Sequence, residues 1–231
     1  SLNHLIEAFV KESLKFQLLD YLYRNKEFSI VQLTTKFMIS ESSLFRKIKE
    51  LNQLLAAFDL QIKNGQLQGE ELQIRYFYFQ LYWYITPYEI HQKKTMSPLN
   101  KRIIEGIETG LGFTFNEHNA LKVSLWLSIT KKRLAVTSKK YQQLRKKMID
   151  FKEDPLFKQV RQLFFRFSSR YSLELDEGES MIHFVFLITM SVLPESAFDE
   201  YSLIRGLRPA VSLTDTFILE NVVLYYRPHK F

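Results

Sequence analysis

Residues 28–72 constrain the fold most, because a short helical pattern, a tight turn, a longer helical pattern and a hairpin signal follow one another there. Ser29 precedes IVQLTTKF, and Ser40 precedes ESSLFRKIKELNQLLAAF. Serine is favoured just before a helix, where its hydroxyl accepts a hydrogen bond from a free backbone N–H. The longer pattern carries an apolar stripe: Leu44, Ile48, Leu51, Leu54 and Leu55. This order predicts a helix-turn-helix, in which the second helix enters the major groove of DNA.

The segment LQIKNGQLQG follows the longer helix and predicts a β-hairpin. Leu60 and Ile62 alternate with polar residues, as on a half-buried strand. Asn64-Gly65 favours a type I′ turn, which needs positive φ at both central positions. A hairpin directly after the recognition helix completes a winged helix, so we assign residues 1–70 to a winged helix-turn-helix DNA-binding domain.

The rest of the chain has a helical pattern almost throughout. The whole chain has only 7 glycines and 6 prolines, which favours long helices over a turn-rich β fold. The predicted helices outside the helix-turn-helix are 4–24, 71–86, 98–109, 116–134, 139–150, 155–170, 176–193 and 214–226. Residues 103–129 and 163–189 share a plan of helix, polar loop, acidic helix start and apolar helix, which suggests a duplicated helical unit. We therefore predict a mainly α fold, a winged helix-turn-helix with a small β-hairpin wing followed by an all-helical bundle.

Charge and composition limit the possible partners and the cellular compartment, but they do not identify the function. The formal net charge is +7, and residues 131–170 carry 13 basic and 3 acidic side chains. This bias fits a polyanion partner, but it also fits a solvated helix face opposite an acidic neighbour. The absence of cysteine fits a reducing compartment. No apolar run approaches the ~20 residues that span a bilayer. We expect a cytoplasmic protein without a membrane partner.

Small polar and basic side chains near the start of the second helix are candidates for DNA contact. Arg46 suits guanine O6 and N7, whereas lysines suit phosphates. The free N–H groups at the helix start by Ser40 suit a phosphate as well. Phe45 either touches a thymine methyl group or packs on the preceding helix. The candidate DNA-binding residues are Ser40, Ser42, Ser43, Phe45, Arg46, Lys47 and Lys49 on the helix, with Lys63 and Asn64 at the wing tip.

Three stretches carry a family resemblance: SESSLFRKIKELNQLL, the wing ending LQGEELQIRY, and the aromatic helix YFYFQLYW. They resemble the winged helix-turn-helix of the Mga-type regulators, the M-protein trans-acting positive regulators of Gram-positive cocci and their relatives. Residues 98–193 resemble the phosphotransferase-system regulation domain (PRD) that follows in that family. The resemblance implies a virulence-type transcription regulator that binds promoter DNA and forms a homodimer. Residues 71–193 would be the regulation-type bundle, and 194–231 a helical segment that opens a second such domain.

That family usually has further domains on both flanks, so we expect this chain to be a fragment or a shortened member. In related sugar-responsive regulators, regulation-domain histidines accept phosphate from the phosphocarrier protein HPr. His183 lies within one position of such a site, whereas Trp126 or a neighbour stands where the histidine of the first half would fall. The resemblance therefore implies phosphorylation of His183 by HPr as a hypothesis. The alternative is a half-buried helical histidine without this role.

Nothing in the sequence indicates an enzyme, a cofactor or a metal site. There is no glycine-rich phosphate loop and no HExxH motif, and the five histidines lack metal-ligand spacing. We therefore expect no catalytic residues, no cofactor and no bound metal. Two alternatives to a DNA-binding regulator remain: an RNA-binding antiterminator, and a protein-interaction module whose degenerate winged helix has lost its DNA contacts.

Overall fold

The computed structural model describes residues 13–170, 176–190 and 192–193, which form two compact units. The first unit comprises residues 13–93 and 132–139, and the second comprises the remaining described residues. The helix predicted at 214–226, the first residues of the helix predicted at 4–24, and the segment 194–231 lie outside the described residues.

The first unit contains the predicted winged helix-turn-helix. Its elements are α1 (Leu14–Arg24), α2 (Ile30–Phe37), α3 (Glu41–Leu55), a 3-10 turn (Ala56–Phe58), β1 (Gln61–Lys63), β2 (Gln66–Gln68), α4 (Glu71–Ile85) and α5 (Tyr88–Lys93). The two strands are antiparallel, with Ile62 opposite Leu67. The mainly α fold with a small hairpin after the helices is thus confirmed. The six-residue helix α5 was not predicted, because it is too short to show an apolar period.

Serine caps and one left-handed residue define the two helices of the motif. The Ser29 hydroxyl accepts the Gln32 N–H at 3.1 Å, and the Gln32 side chain accepts the Ser29 N–H at 2.9 Å, which forms a capping box. Met38 ends α2 in the left-handed region, with φ 55°. Ser40 follows two residues after Met38. Its hydroxyl accepts the Ser43 N–H at 3.2 Å and caps α3, which begins at Glu41. The tight turn predicted between the helices therefore lies at residues 38–40.

The core of the first unit is built from the apolar faces of its helices. Leu44, Leu51 and Leu55 of α3 are buried, and Ile48 and Leu54 of the predicted stripe are half-buried. Aromatic residues of α4 fill much of the remaining interior. The Tyr78 hydroxyl, for example, donates to the Leu19 carbonyl oxygen of α1 at 2.8 Å, so this buried phenol is satisfied.

A buried ionic cluster of Glu71, Arg75 and Arg133, here named the Glu71 cluster, also lies in the first unit. Glu71 and Arg75 are 0% exposed, and Arg133 is 9% exposed. The Arg133 guanidinium donates to both carboxylate oxygens of Glu71, at 2.9 and 2.8 Å. Arg75 Nε donates to Glu71 Oε1 at 2.9 Å. The cluster attaches the segment 132–139 to the first turn of α4.

The described residues of the second unit lie mainly in helices α6 (Pro98–Leu111), α7 (Glu117–Arg133, of which residues up to 131 belong to this unit), α8 (Gln142–Phe151), α9 (Pro155–Arg170) and α10 (Gly178–Thr189). The helices predicted at 98–109, 116–134, 139–150, 155–170 and 176–193 appear, with most ends shifted by a few residues. The sequence echo is visible in the order of these elements, since α6 and α7 correspond to α9 and α10. Trp126 and Phe186, which stand 60 residues apart, stack with ring centroids 4.4 Å apart and planes 8° from parallel.

Candidate nucleic-acid interface

Helix α3 presents one polar side away from the core. Successive residues of an α-helix are rotated by about 100°, so a spacing of four, three and four residues keeps side chains on one side. Ser42, Arg46, Lys49 and Gln53 follow this spacing and are all exposed. We name these four residues the outer stripe. It lies opposite the leucines that anchor α3, which is the arrangement a recognition helix needs.

The two basic residues of the outer stripe are available for a partner. Among the described residues, neither Arg46 nor Lys49 forms an ion pair. Lys47 differs, since it is half-buried and its ammonium lies 3.4 Å from Glu50 Oε2. The same oxygen lies 3.2 Å from the Lys15 ammonium of α1. Lys47 thus lies on the edge of α3 that faces α1, apart from the outer stripe.

The electrostatics of Glu50 reflect this arrangement. Desolvation acts to raise the pKa of the Glu50 carboxyl, but the ammonium groups of Lys15 and Lys47 outweigh it and hold the pKa below its ordinary value. Glu50 is therefore charged at neutral pH and competes with DNA phosphates for Lys47. No such competitor lies beside Arg46 or Lys49 in the described part of the chain.

The three candidate serines meet at the start of α3. The Ser40 hydroxyl oxygen lies 3.1 Å from the Ser42 hydroxyl and 3.0 Å from that of Ser43. Ser40 and Ser42 are exposed, and Ser43 is half-buried. The Ser40 hydroxyl caps α3, so its main role is to stabilise the start of the helix rather than to contact DNA. Ser42 remains the serine of this group that lies on the outer stripe.

Phe45 is an exposed aromatic residue on the same helix. Its side chain is 52% exposed, and its ring makes no aromatic contact within the described residues. Helical rotation puts Phe45 on one flank of the line from Ser42 to Lys49, and Arg46 on the other flank. Phe45 therefore borders the surface that the outer stripe forms.

The two candidate residues at the wing tip are exposed to solvent. Lys63 and Asn64 are exposed, and Asn64 and Gly65 have φ values of 54° and 73°, as the predicted turn requires. The Phe28 N–H donates to the Gly65 carbonyl oxygen at 2.9 Å. A Cβ atom on Gly65 would lie 2.3 Å from the Phe28 carbonyl oxygen, so glycine alone fits there. This contact fixes the wing tip against the residue that precedes the α2 cap.

Asn52 is a positioning residue that the sequence reasoning missed. Its side-chain oxygen accepts the Ile62 N–H at 2.6 Å, and its side-chain nitrogen donates to the Ile62 carbonyl oxygen at 3.1 Å. Asn52 thus pairs with β1 as a neighbouring strand would, and it ties the wing to α3. A lone asparagine within an amphipathic helix was the available signal, but its partner lies ten residues away in a different element.

In the second unit, the His183 ring is buried, and it is more enclosed than the half-buried alternative predicted. It is 2% exposed and stacks on Phe164, with centroids 4.0 Å apart. The Trp126 indole N–H donates to His183 Nδ1 at 3.0 Å, so Nδ1 carries no proton. In the neutral ring the proton therefore lies on Nε2, which is 3.5 Å from Glu179 Oε2. Tyr141 donates its hydroxyl proton to the other oxygen of Glu179.

In the part of the chain that the structure describes, no group of three or more histidine, aspartate or glutamate side chains is placed to hold a metal ion. None of its helices combines the length and apolar character that crossing a membrane requires.

Part of the chain is similar to a known family and to a curated protein. Residues 1–82 match the family model described as the Mga helix-turn-helix domain. A curated protein of Streptococcus pneumoniae serotype 4, titled "Putative trans-acting regulator", is 28% identical over 125 residues, which is 51% of this chain and 25% of that protein. The chain therefore spans about a quarter of this relative's length. Both findings support the Mga-type resemblance of the helix-turn-helix part.

Proposed function

We propose that this chain is a sequence-specific transcription regulator whose helix α3 lies in the major groove of promoter DNA. The observation that carries the proposal is the outer stripe. It is an exposed polar side of a helix whose opposite side is anchored in the core, and its basic groups form no ion pair with the residues that the structure describes. The hairpin beside it provides a second exposed contact at Lys63 and Asn64. The matched helix-turn-helix model supports the same function.

The geometry favours a division of roles among the basic residues. Arg46, near the start of α3, is the residue for a guanine edge, because its planar guanidinium can donate to O6 and N7 together. Lys49 is the residue for a phosphate, because its ammonium is exposed and unpaired among the described residues. Lys47 contributes less, since Glu50 already engages it. This ranking departs from the sequence-based expectation, in which Lys47 is a phosphate contact as Lys49 is.

Binding measurements on the full chain test these roles. A preferred site would first be selected from random DNA, and affinities then measured by fluorescence anisotropy over a range of salt. We expect Arg46→Ala to lose about 1–3 kcal/mol of binding free energy and to relax specificity at one position. Lys49→Ala should weaken binding to all sequences and reduce the salt slope by about one unit.

Lys47→Ala is the matched control, since it removes the same charge from the same helix at a position engaged by Glu50. We expect it to change the salt slope less than Lys49→Ala does. Wild-type affinity and specificity in both Arg46→Ala and Lys49→Ala would reject the proposed interface. Tighter binding to single-stranded or duplex RNA than to DNA would favour the antiterminator alternative instead.

We further propose that residues 71–193 are a phosphotransferase-system regulation-type domain, that the chain acts in the cytoplasm, and that it binds promoter DNA as a homodimer. HPr would be the phosphate donor, and His183 the acceptor. The resemblance of residues 98–193 supports this proposal. Because Trp126, Phe164 and Glu179 enclose the His183 ring, transfer of a phosphoryl group would require the second unit to open around it.

Incubation with labelled HPr-phosphate tests the acceptor. We expect label on the wild-type chain and none on His183→Gln, and His118→Gln serves as the control because His118 is exposed on the same unit. No label on the wild type, or equal label on both variants, would reject His183 as the acceptor. It would leave DNA binding by the first unit untouched.

A further inference from the structure

We propose that Phe45 is a specificity-determining residue that contacts the C5-methyl group of a thymine next to the base read by Arg46. This inference rests on the proposed function, since it needs α3 in the major groove. It goes further by naming a base and the chemical group of that base which the protein recognises. The sequence alone left this role open beside packing on the preceding helix.

The position of Phe45 supports the contact. Ser42 and Lys49 mark the middle of the exposed side of α3, and Phe45 and Arg46 flank this line on opposite sides. Phe45 lies in the second helical turn, near the N-terminal end that such motifs insert into the groove. In helix-turn-helix motifs, side chains of the N-terminal part of the second helix contact base edges. Arg46 and Phe45 would therefore contact neighbouring bases from one turn of helix.

The surroundings of Phe45 weaken the packing alternative. About half of the side chain is open to solvent, at 52% exposure, and no aromatic ring of the described residues contacts it. Contact with the preceding helix can therefore account for only part of the ring. The exposed part of the phenyl ring is unfavourable in water, and contact with a bound apolar group would remove this surface from water.

The chemistry of the major groove selects the occupant. Guanine, cytosine and adenine present donors and acceptors there, and thymine adds a methyl group. A phenyl ring has no hydrogen-bonding group to match the polar edges, so the thymine methyl is its favourable partner. Val31 and Met38 are also exposed apolar residues of the motif, at 70% and 90%, but they lie outside α3. They provide a comparison for the effect of position.

Deoxyuridine provides the test, because it keeps the pairing edge of thymine and lacks only the methyl group. In the selected site, each thymine would be replaced singly by deoxyuridine, and binding of the full chain measured. We expect one position at which wild-type affinity falls about fourfold, the effect of roughly one buried methylene-sized group. With Phe45→Ala, the same replacement should have no effect.

Two further variants secure the comparison. Met38→Ala removes another exposed apolar side chain of the motif and should keep the full deoxyuridine effect. Phe45→Leu keeps an apolar side chain and should retain part of the effect, so the test does not depend on one variant. Circular dichroism would confirm that each variant is folded.

The outcomes separate the two proposals. A wild-type chain without any DNA sequence preference would reject the proposed function itself. A specific wild-type chain that tolerates every deoxyuridine replacement, or selects a site without thymine near the guanine read by Arg46, would reject the role of Phe45 alone. A deoxyuridine effect that persists unchanged in Phe45→Ala would also reject it.

Discussion

Arg46 and Arg133 show how one residue type serves opposite purposes within the first unit. Arg46 is exposed and has no ion pair among the described residues, so its guanidinium can serve a ligand. Arg133 is buried and donates to both oxygens of Glu71, so its guanidinium serves the fold. Their sequence contexts do not distinguish them, since both lie in helical patterns rich in basic residues. Burial and partner geometry separate the arginine that we propose for DNA binding from the structural one.

At the residue scale we predict that Glu71→Gln strongly destabilises the protein. The glutamine keeps the size of Glu71 but removes the charge that Arg75 and Arg133 share, and breaking a buried ion pair by removing one partner costs about 3–5 kcal/mol. Urea denaturation followed by circular dichroism measures the change in the free energy of unfolding. Glu153→Gln is the control, since Glu153 pairs with Lys158 on the surface and should have little effect. Equal stability of the two variants would contradict this role for Glu71.

The candidate residues could be predicted where helical periodicity alone decides exposure. The outward positions of Ser42, Arg46 and Lys49 follow from the leucine spacing of α3. The pairing of Lys47 with Glu50 could not be recognised in the same way, because Lys15 of another helix completes it. The same holds for the Glu71 cluster, whose partners lie 62 residues apart. Local patterns reveal which residues face outward, but not which distant residue meets them.

At the element scale, the wing depends on α3 as much as on its own two short strands. A two-stranded hairpin of this length is marginal in isolation. Asn52 adds two hydrogen bonds to β1, and the Phe28 N–H holds the turn at Gly65. The sequence predicted the hairpin through Asn64-Gly65, but it could not predict these attachments. They explain how so small a sheet keeps a defined place beside α3.

We therefore predict that Asn52→Ala loosens the wing. Loss of both side-chain hydrogen bonds leaves the Ile62 backbone groups partly unsatisfied and should lower the free energy of unfolding by about 1–2 kcal/mol. Hydrogen exchange of the Ile62 amide should accelerate correspondingly. Gln53→Ala is the matched control, because Gln53 is the next residue of the same helix and is exposed. Unchanged protection of the Ile62 amide in Asn52→Ala would contradict this role.

At the scale of the whole molecule, the basic bias of residues 131–170 is partly balanced within the second unit. Arg145 pairs with Asp176, and Arg161 lies 3.9 Å from Glu177. Both acidic residues immediately precede α10. Their ion pairs agree with the second interpretation of the charge bias, in which a solvated basic helix face lies opposite an acidic neighbour. The net charge thus gives weaker support for DNA binding than the outer stripe does. The order of helices could be predicted from amphipathic patterns, whereas the pairing of charges required the packed structure.

The Glu71 cluster also bears on how the chain can be divided and made. A piece cut after Lys93 would contain the complete wing and α3, yet its Glu71 would lack Arg133. During synthesis the ribosome releases Glu71 62 residues ahead of that partner. The first unit is therefore complete only after residues 94–131 have been translated. A minimal fragment that keeps the Glu71 cluster and the whole of this unit must extend to residue 139.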